Sequence, residues 1–378
     1  MPANNQTTLG IAVAITVAPS VPDVELALIV STTNKVRDSD PYLIAFIQPI
    51  DPSNPKDWPH SRKIAVTDVL SAIGFCPIMA GTIMAPALPT IKTELHMNST
   101  EVVMALSIYL LATAFGPLAI GPLSEIHRRK NILHICNAWF LVWNLVCVFA
   151  DTKCLLIAAR FLAEFGASST YALAGGVLGD VWRPEERGRS LCLYLLIQLL
   201  GAAVGPIIGG FMAARTTWRW MFWSISIFQA AMLVAEMAIF QETYAPIILR
   251  QRAAHLRRST GNLQYRTVYE RQDNSKSVPT VLARALTRPM RQLALHPIIQ
   301  ITFLIQAWSY GIVYLVLASF ASLWTGQYDQ SIELSGPHYI AYAAGEIAGR
   351  SADPSWIATT ACADARKTAS TAPNPASS

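Results

Sequence analysis

Residues Gly201 to Gly210 read GAAVGPIIGG and sit inside an apolar run from Leu191 to Ala214. Gly201, Gly205 and Gly209 recur every fourth residue, so on a helix they share one face. They form two overlapping small-xxx-small patterns that admit a neighbouring helix at close range. Pro206 removes a backbone donor and presses on the preceding turn, so the spacing predicts a bend there. In a water-exposed helix each interior glycine costs about 1 kcal/mol and the proline about 3 kcal/mol. Inside a bilayer, neighbouring helices re-satisfy the freed backbone groups. The stretch therefore points to a helix packed among other helices in a membrane.

Composition agrees. Charged residues make up 14% of the 378 and hydrophobic ones 52%, whereas soluble domains carry about 25% charge. Seven apolar segments, at 64–88, 102–122, 131–150, 155–178, 190–213, 219–240 and 298–323, are each near the roughly 20 residues that cross a bilayer as a helix. The fold class expected is an all-α integral membrane protein. Cys76, Cys136, Cys147, Cys154, Cys192 and Cys362 show no C-x-x-C spacing and read as buried thiols, not as a metal site or disulfide framework. The net charge of +5 comes from basic loops and is no nucleic-acid signal.

Loops assigned to the cytoplasm hold nineteen Lys and Arg residues, against four (Lys92, Lys153, Arg215 and Arg219) in the alternate loops. That bias places the N-terminus in the cytoplasm. Residues 1–63 read as a poorly ordered cytoplasmic extension: the run from Leu9 to Val30 is broken by Pro22, Asp23 and Glu25, and no basic segment precedes it as in a signal peptide. Residues 64–240 hold six spans. Residues 241–297 form a basic, solvated linker with surface helices. Residues 298–349 hold one full span and one partial one containing Glu346, and 350–378 are a polar tail rich in Ala, Ser, Thr and Pro.

The ten residues GAAVGPIIGG resemble, at every defined position, the fifth-span signature of proton-coupled antiporters in the major facilitator superfamily. The segment DPSNPKDWPHSRK (Asp51 to Lys63) resembles the juxtamembrane start of fungal multidrug antiporters. GPLSEIHRRK, Gly121 to Lys130, resembles the superfamily's signature loop between spans two and three. By that resemblance Gly121 lets span two approach a neighbour, and Glu125, Arg129 and Lys130 form a latch for one gate state. The plainer reading is a basic loop serving topology. Arg128 stands where the family has glycine; if the turn needs a positive φ, arginine strains it. GDVWRPEERGRS, Gly179 to Ser190, resembles the loop after span four, and its Asp180 and Arg187 suit a second charge pair.

Arg160 lies deep in span four, where an ionisable residue is costly and by default functional. Leu156, Arg160, Gly166 and Ala167 resemble the span-four signature whose arginine takes part in proton coupling. Glu164, four residues on, is placed to pair with Arg160 along one face. Glu164 stands where that signature prefers glycine: the pair neutralises itself so that the helix inserts, or Glu164 titrates and tunes Arg160, or the acid is a random or deleterious substitution. Asp68, Glu236 and Glu346 are further acids in apolar runs, at helix ends or competing for protons. Pro86 and Pro89 bend span one near its outer end, and the tryptophans of WRWMFW, Trp218 to Trp223, suit an interfacial belt. In span seven, Gln306, Trp308, Tyr310, Tyr314 and Trp324 either face a cavity that takes a cationic amphiphile or face lipid.

The resemblance covers about Asp51 to Gly349 and implies a multidrug efflux antiporter. Its partners would be a small-molecule substrate, protons and the lipid bilayer, with no cofactor, no metal, no nucleic acid and no enzymatic activity. It implies a monomer, in the plasma membrane rather than the vacuolar one. Family members carry twelve spans, so the second half reads as cut short. The chain is then either a working transporter with an incomplete gene model or a membrane remnant that does not transport.

Overall fold

The computed structural model describes residues 42–47, 49–273, 287, 290–328 and five positions between 338 and 345. The expected tail 350–378, Glu346 and Cys362 lie outside the described residues.

Asn54 accepts from the Lys56 N–H and starts a 3₁₀ turn at Pro55–Asp57, which leads into α1, His60–Thr82. Pro86 and Pro89 each take the second position of a short element, the 3₁₀ turn Ala85–Ala87 and α2, Leu88–Glu94. There the missing N–H leaves no bond unmade. A reciprocal capping box opens α3, Ser99–Ile126, where the Glu101 carboxylate accepts from the Asn98 N–H at 2.8 Å. Then come α4, Arg129–Val148, α5, Lys153–Ala167, and α6, Ser169–Val181. The long α7, Pro184–Arg215, runs helical through Pro206, and α8, Arg219–Ile239, closes the bundle. A separate helix, α11, spans Pro297–Gly326 and meets the bundle at the Ala85–Ala87 turn.

Among the described residues five helices are long and apolar enough to cross a membrane, over 60–94, 99–124, 129–148, 184–215 and 219–239. The fourth expected span differs: it is two helices, α5 and α6, joined at Ser168. Gly116 of α3 explains the joint's close seat, since a Cβ there would lie 1.8 Å from the Ser168 hydroxyl.

Side-chain placement is that of a membrane bundle. Val103, Phe115, Ile135, Val142, Ile227 and Val234 point outward, exposed by 55–68%, as lipid contact requires. Two apolar clusters fill the interior. One surrounds Met79, Ile83, Tyr109, Phe140, Leu156 and Phe222, and the other Trp58, Leu70, Leu133, Val177, Trp182 and Phe240. Among the thiols, Cys76 and Cys147 are buried and Cys136 half-buried, while Cys154 and Cys192 are exposed on the bundle surface, correcting the reading of all as buried. Trp218, expected in an interfacial belt, packs inside the protein. It is 1% exposed, and its indole N–H donates to Glu94 at 2.7 Å. Arg219 binds the same Glu94, together with Asp151 at 3.2 Å, so charges tie three loops at this end.

Residues 42–47 and 49–58 are ordered, against the expectation for the extension. Strand β1, Leu43–Ile44, pairs in parallel with β2, Arg266–Thr267. Between β2 and the bundle runs α9, Ala245–Thr260, ended by Gly261 at φ 68°, and after β2 comes α10, Val268–Asp273. Ile44, Leu249 and Ala253 form a small apolar core of their own. Asp51 accepts from the N–H groups of Ile47 and Ser53, both at 2.9 Å, and from Arg252 at 2.7 Å. Arg257 holds Glu270 at 2.6 Å. The start of the 241–297 linker is therefore a packed unit with a strap from the N-terminal side across it.

Candidate functional site

Arg160 stands on α5 where α1, α3 and α8 meet, and is 2% exposed. Its Nε donates to the Ala105 carbonyl at 3.0 Å and both terminal nitrogens to the Ala80 carbonyl at 3.3 Å. The guanidinium carbon lies 4.8 Å from the centre of the Tyr109 ring and 5.9 Å from that of Phe222. A buried cation needs such a shell of carbonyls and π faces to replace water. One turn further, Glu164 is fully buried and accepts from the Thr113 hydroxyl at 2.8 Å. Its Oε2 has no hydrogen-bond partner among the described residues. Tyr109, whose hydroxyl donates to the Pro77 carbonyl, stands beside both charges. The sequence reading expects the two side chains to pair along α5; the bonds described here hold Arg160 from α1 and α3 and Glu164 from α3. Tyr109 and Thr113 were not among the predicted site residues, because an aromatic and a hydroxyl in an apolar run read as core.

Beside this junction lies the glycine face of α7. A Cβ at Gly201 would lie 2.8 Å from the Phe75 carbonyl oxygen, one at Gly205 2.2 Å from the Thr82 hydroxyl, and one at Gly209 2.1 Å from the Ile83 carbonyl oxygen. The backbone of α1 therefore rests on this stripe with no room for a methyl group. Pro206 and Gly210 are buried as well. Gln198 continues it, its amide lying over Gly74 and bonded to the Tyr194 hydroxyl.

At the other end of the bundle Arg129 of α4 binds Asp180 of α6 at 2.8 Å. The guanidinium lies over Gly176, where a Cβ would stand 2.3 Å from Nη1, and 4.6 Å from the centre of the Tyr244 ring. Arg187 packs its guanidinium on Gly179, next to Asp180. The charges of the two loop motifs are thus joined across helices. Lys130 is half-buried at the start of α4, and the Glu125 side chain lies outside the described residues. Two expectations are corrected. Arg128 has φ −62°, an ordinary extended conformation, so no strain arises there. With the Gln251 amide oxygen turned to it, Arg128 donates at 2.8 and 3.0 Å to α9. A Cβ at Gly121 would meet nothing within 4 Å among the described residues, so no close approach depends on that glycine here.

Asp68 is exposed on α1, outside the buried cluster of Arg160 and Glu164. On α11, Gln306 is half-buried and Tyr310 is 38% exposed; the Tyr314 side chain lies outside the described residues. Among the described residues no group of three or more His, Cys, Asp or Glu is placed to hold a metal.

A family model described as Major Facilitator Superfamily matches residues 70–356. A probable efflux pump, mfs2, of Aspergillus flavus is 54% identical over 266 residues, covering 70% of this chain and 63% of that protein. An uncharacterized transporter of Schizosaccharomyces pombe is 36% identical over 84% of this chain and 65% of its own length. The efflux pump vrtL of Penicillium aethiopicum is 38% identical over 82% of this chain and 61% of its own length. The chain thus spans 61–65% of the length of these relatives. A solved bacterial homologue of the human lysosomal transporter Spinster, inward-facing and unoccupied, superposes with a TM-score of 0.52 at 14% identity. That match covers 75% of this chain and 59% of the other, and shows a shared fold.

Proposed function

The chain belongs to the major facilitator superfamily, and on that premise we propose that it takes part in proton-coupled export of small amphiphilic or cationic compounds across the plasma membrane, by alternating access. The observation that carries this reading is the burial of Arg160 and Glu164, at 2% and 0% exposure, in one junction of four helices. A carboxyl held there exchanges a proton, and the fixed charge of Arg160 senses the change. The glycine seam between α1 and α7 keeps these helices one rigid body during the swing. Arg129 with Asp180 latches the cytoplasmic end, where Glu125, Lys130 and Arg187 complete the charge set. Gln306 and Tyr310 of α11 line the substrate path, where aromatic faces take a cation. The efflux pumps among its relatives support the outward direction.

The test is flux in proteoliposomes holding the purified chain, with a pH gradient and a lipophilic cationic fluorophore as substrate. Gradient-driven movement is expected, and its loss in R160A and E164Q. A wild-type chain that moves no fluorophore overturns export by this chain, and flux that persists in E164Q places the coupling proton elsewhere.

A further inference from the structure

A second group of titratable side chains lies far from Arg160. Glu236 of α8 is fully buried, and its Oε1 is 2.9 Å from His134 Nδ1 of α4. Asn137, one turn after His134, donates its amide N–H to Glu236 Oε2 at 2.9 Å. The Phe240 ring covers the imidazole edge to face, with ring centres 6.4 Å apart. On α8 the cluster stands 14 residues beyond Phe222, the ring that lies against Arg160. At 1.5 Å per residue the separation is about 21 Å. It sits instead at the end of the bundle that carries Arg129 and Asp180.

Oε2 accepts from Asn137, while Oε1 and both ring nitrogens of His134 are buried with no hydrogen-bond partner among the described residues. Oε1 and Nδ1 thus face each other at 2.9 Å as two unmatched buried polar atoms, and a turn of the imidazole lets one proton, carried on either atom, join them. The charged and titratable neighbours are few. Lys130 and Cys136 share α4 with His134, and Glu242 follows α8 with its carboxylate turned back to the N–H groups of Thr243 and Tyr244. From α1, which also packs along α8, Lys63 gives its ammonium to the Lys56 carbonyl at 2.7 Å, and Asp68 is exposed. Among the described residues Asn137 is hydrogen-bonded to Glu236 and His134 lies within ion-pair distance of it, and neither is an arginine or lysine.

We propose that Glu236, His134 and Asn137 form a second proton-binding site of this bundle, loaded through His134. That side chain is 15% exposed through its ring carbons, with both nitrogens turned inside, whereas Glu236 has no exposed surface and Asn137 is 1% exposed, so a turn of the imidazole is the step that brings a nitrogen to solvent. A proton taken up by the ring passes from Nδ1 to Oε1: the N–H bond breaks as the O–H bond forms, and the imidazole returns to neutral. The site is independent of the coupling reading above and does not share its residues.

Infrared difference spectra of the purified full chain in lipid nanodiscs, recorded through a pH titration, test this. The carbonyl stretch of a protonated carboxylic acid is the readout. Part of that band is expected to vanish in E236Q and to remain in E164Q, and H134A is expected to move its midpoint by about one unit, a tenfold change in proton affinity. Should E236Q fail to fold, H134A decides alone, since it leaves the carboxyl in place. A titration unchanged by E236Q, or a midpoint unmoved by H134A, overturns the proposal.

Discussion

Asp51 and Arg252 are 201 residues apart in the sequence and joined by a 2.7 Å ion pair. Burial alone would push the Asp51 carboxyl up, but the N–H groups of Ile47 and Ser53 and the Arg252 guanidinium outweigh it and hold its pKa below the usual 3.8. A carboxyl depressed in the folded state adds stability that is present above its unfolded pKa and lost as pH falls through the folded value. The strap over α9 is therefore expected to hold at pH 5 and to loosen on acidification below about pH 4. Hydrogen exchange at the Ile47 and Ser53 amides measures this, and amides that stay protected to pH 2.5 would count against it. D51N is expected to weaken the strap at neutral pH by about 2 kcal/mol, read as faster tryptic cleavage in the α9 segment.

The α1–α7 seam predicts a graded response to added methyl groups. G209A forces a Cβ against the Ile83 carbonyl oxygen, 2.1 Å away, and the backbone must move. A loss of about 1–3 kcal/mol is expected. G188A, with nothing within 4 Å of its Cβ, should lose nothing. Unfolding in mixed detergent compares the two; equal stabilities would contradict the close contact.

Arg160 tests how a buried charge is housed. R160A leaves the carbonyls of Ala80 and Ala105 and the Glu164 carboxyl without their cation, a loss of about 3–5 kcal/mol for a broken buried charge set. R160K keeps the charge but not the fork that reaches both carbonyls, so an intermediate loss is expected. The same unfolding assay ranks the three proteins, and R160K as stable as wild type would argue against the two-carbonyl geometry.

Gly176 allows a test of the Arg129–Asp180 pair that touches neither residue. G176A places a methyl group where Arg129 Nη1 now lies, 2.3 Å from the Cβ position, and should displace the guanidinium. In a double-mutant cycle, G176A and D180N are expected to be strongly non-additive, with a coupling of about 1 kcal/mol. Strict additivity would mean that the pair survives the methyl group.

What the sequence makes legible follows from what a single helix encodes. The spacing of Gly201, Gly205 and Gly209 states a face, and a lone arginine in an apolar run states a buried charge, because both signals lie within one segment. The partners come from elsewhere. Arg129 and Asp180 are 51 residues apart on separate helices, so sequence reading pairs each with its own loop instead. Thr113 and Tyr109 acquire meaning only when α3 is laid against α5. Trp218 reads as one of an interfacial set from its place in WRWMFW, and nothing in that segment signals that its indole is buried against the Glu94 carboxylate. The strap was invisible: two-residue strands have no periodicity, and the prolines around Asp51 suggest only a break in structure. The expectation for Arg128 failed for a related reason, since a glycine in a family pattern need not mark a positive φ, and the angle here is −62°.

The strap also sets an order of events in synthesis. Leu43 and Ile44 leave the ribosome early, but their partners, Arg266 and Thr267, are made only after α1 to α8 have been translated. Until then the strand waits as an unpaired edge. Its closure is a molecular receipt for the first half of the chain: the parallel pair forms only when every intervening crossing has been completed with the right parity. A bundle that lost or gained one crossing would leave the two strands on opposite sides of the bilayer, with the clasp permanently open.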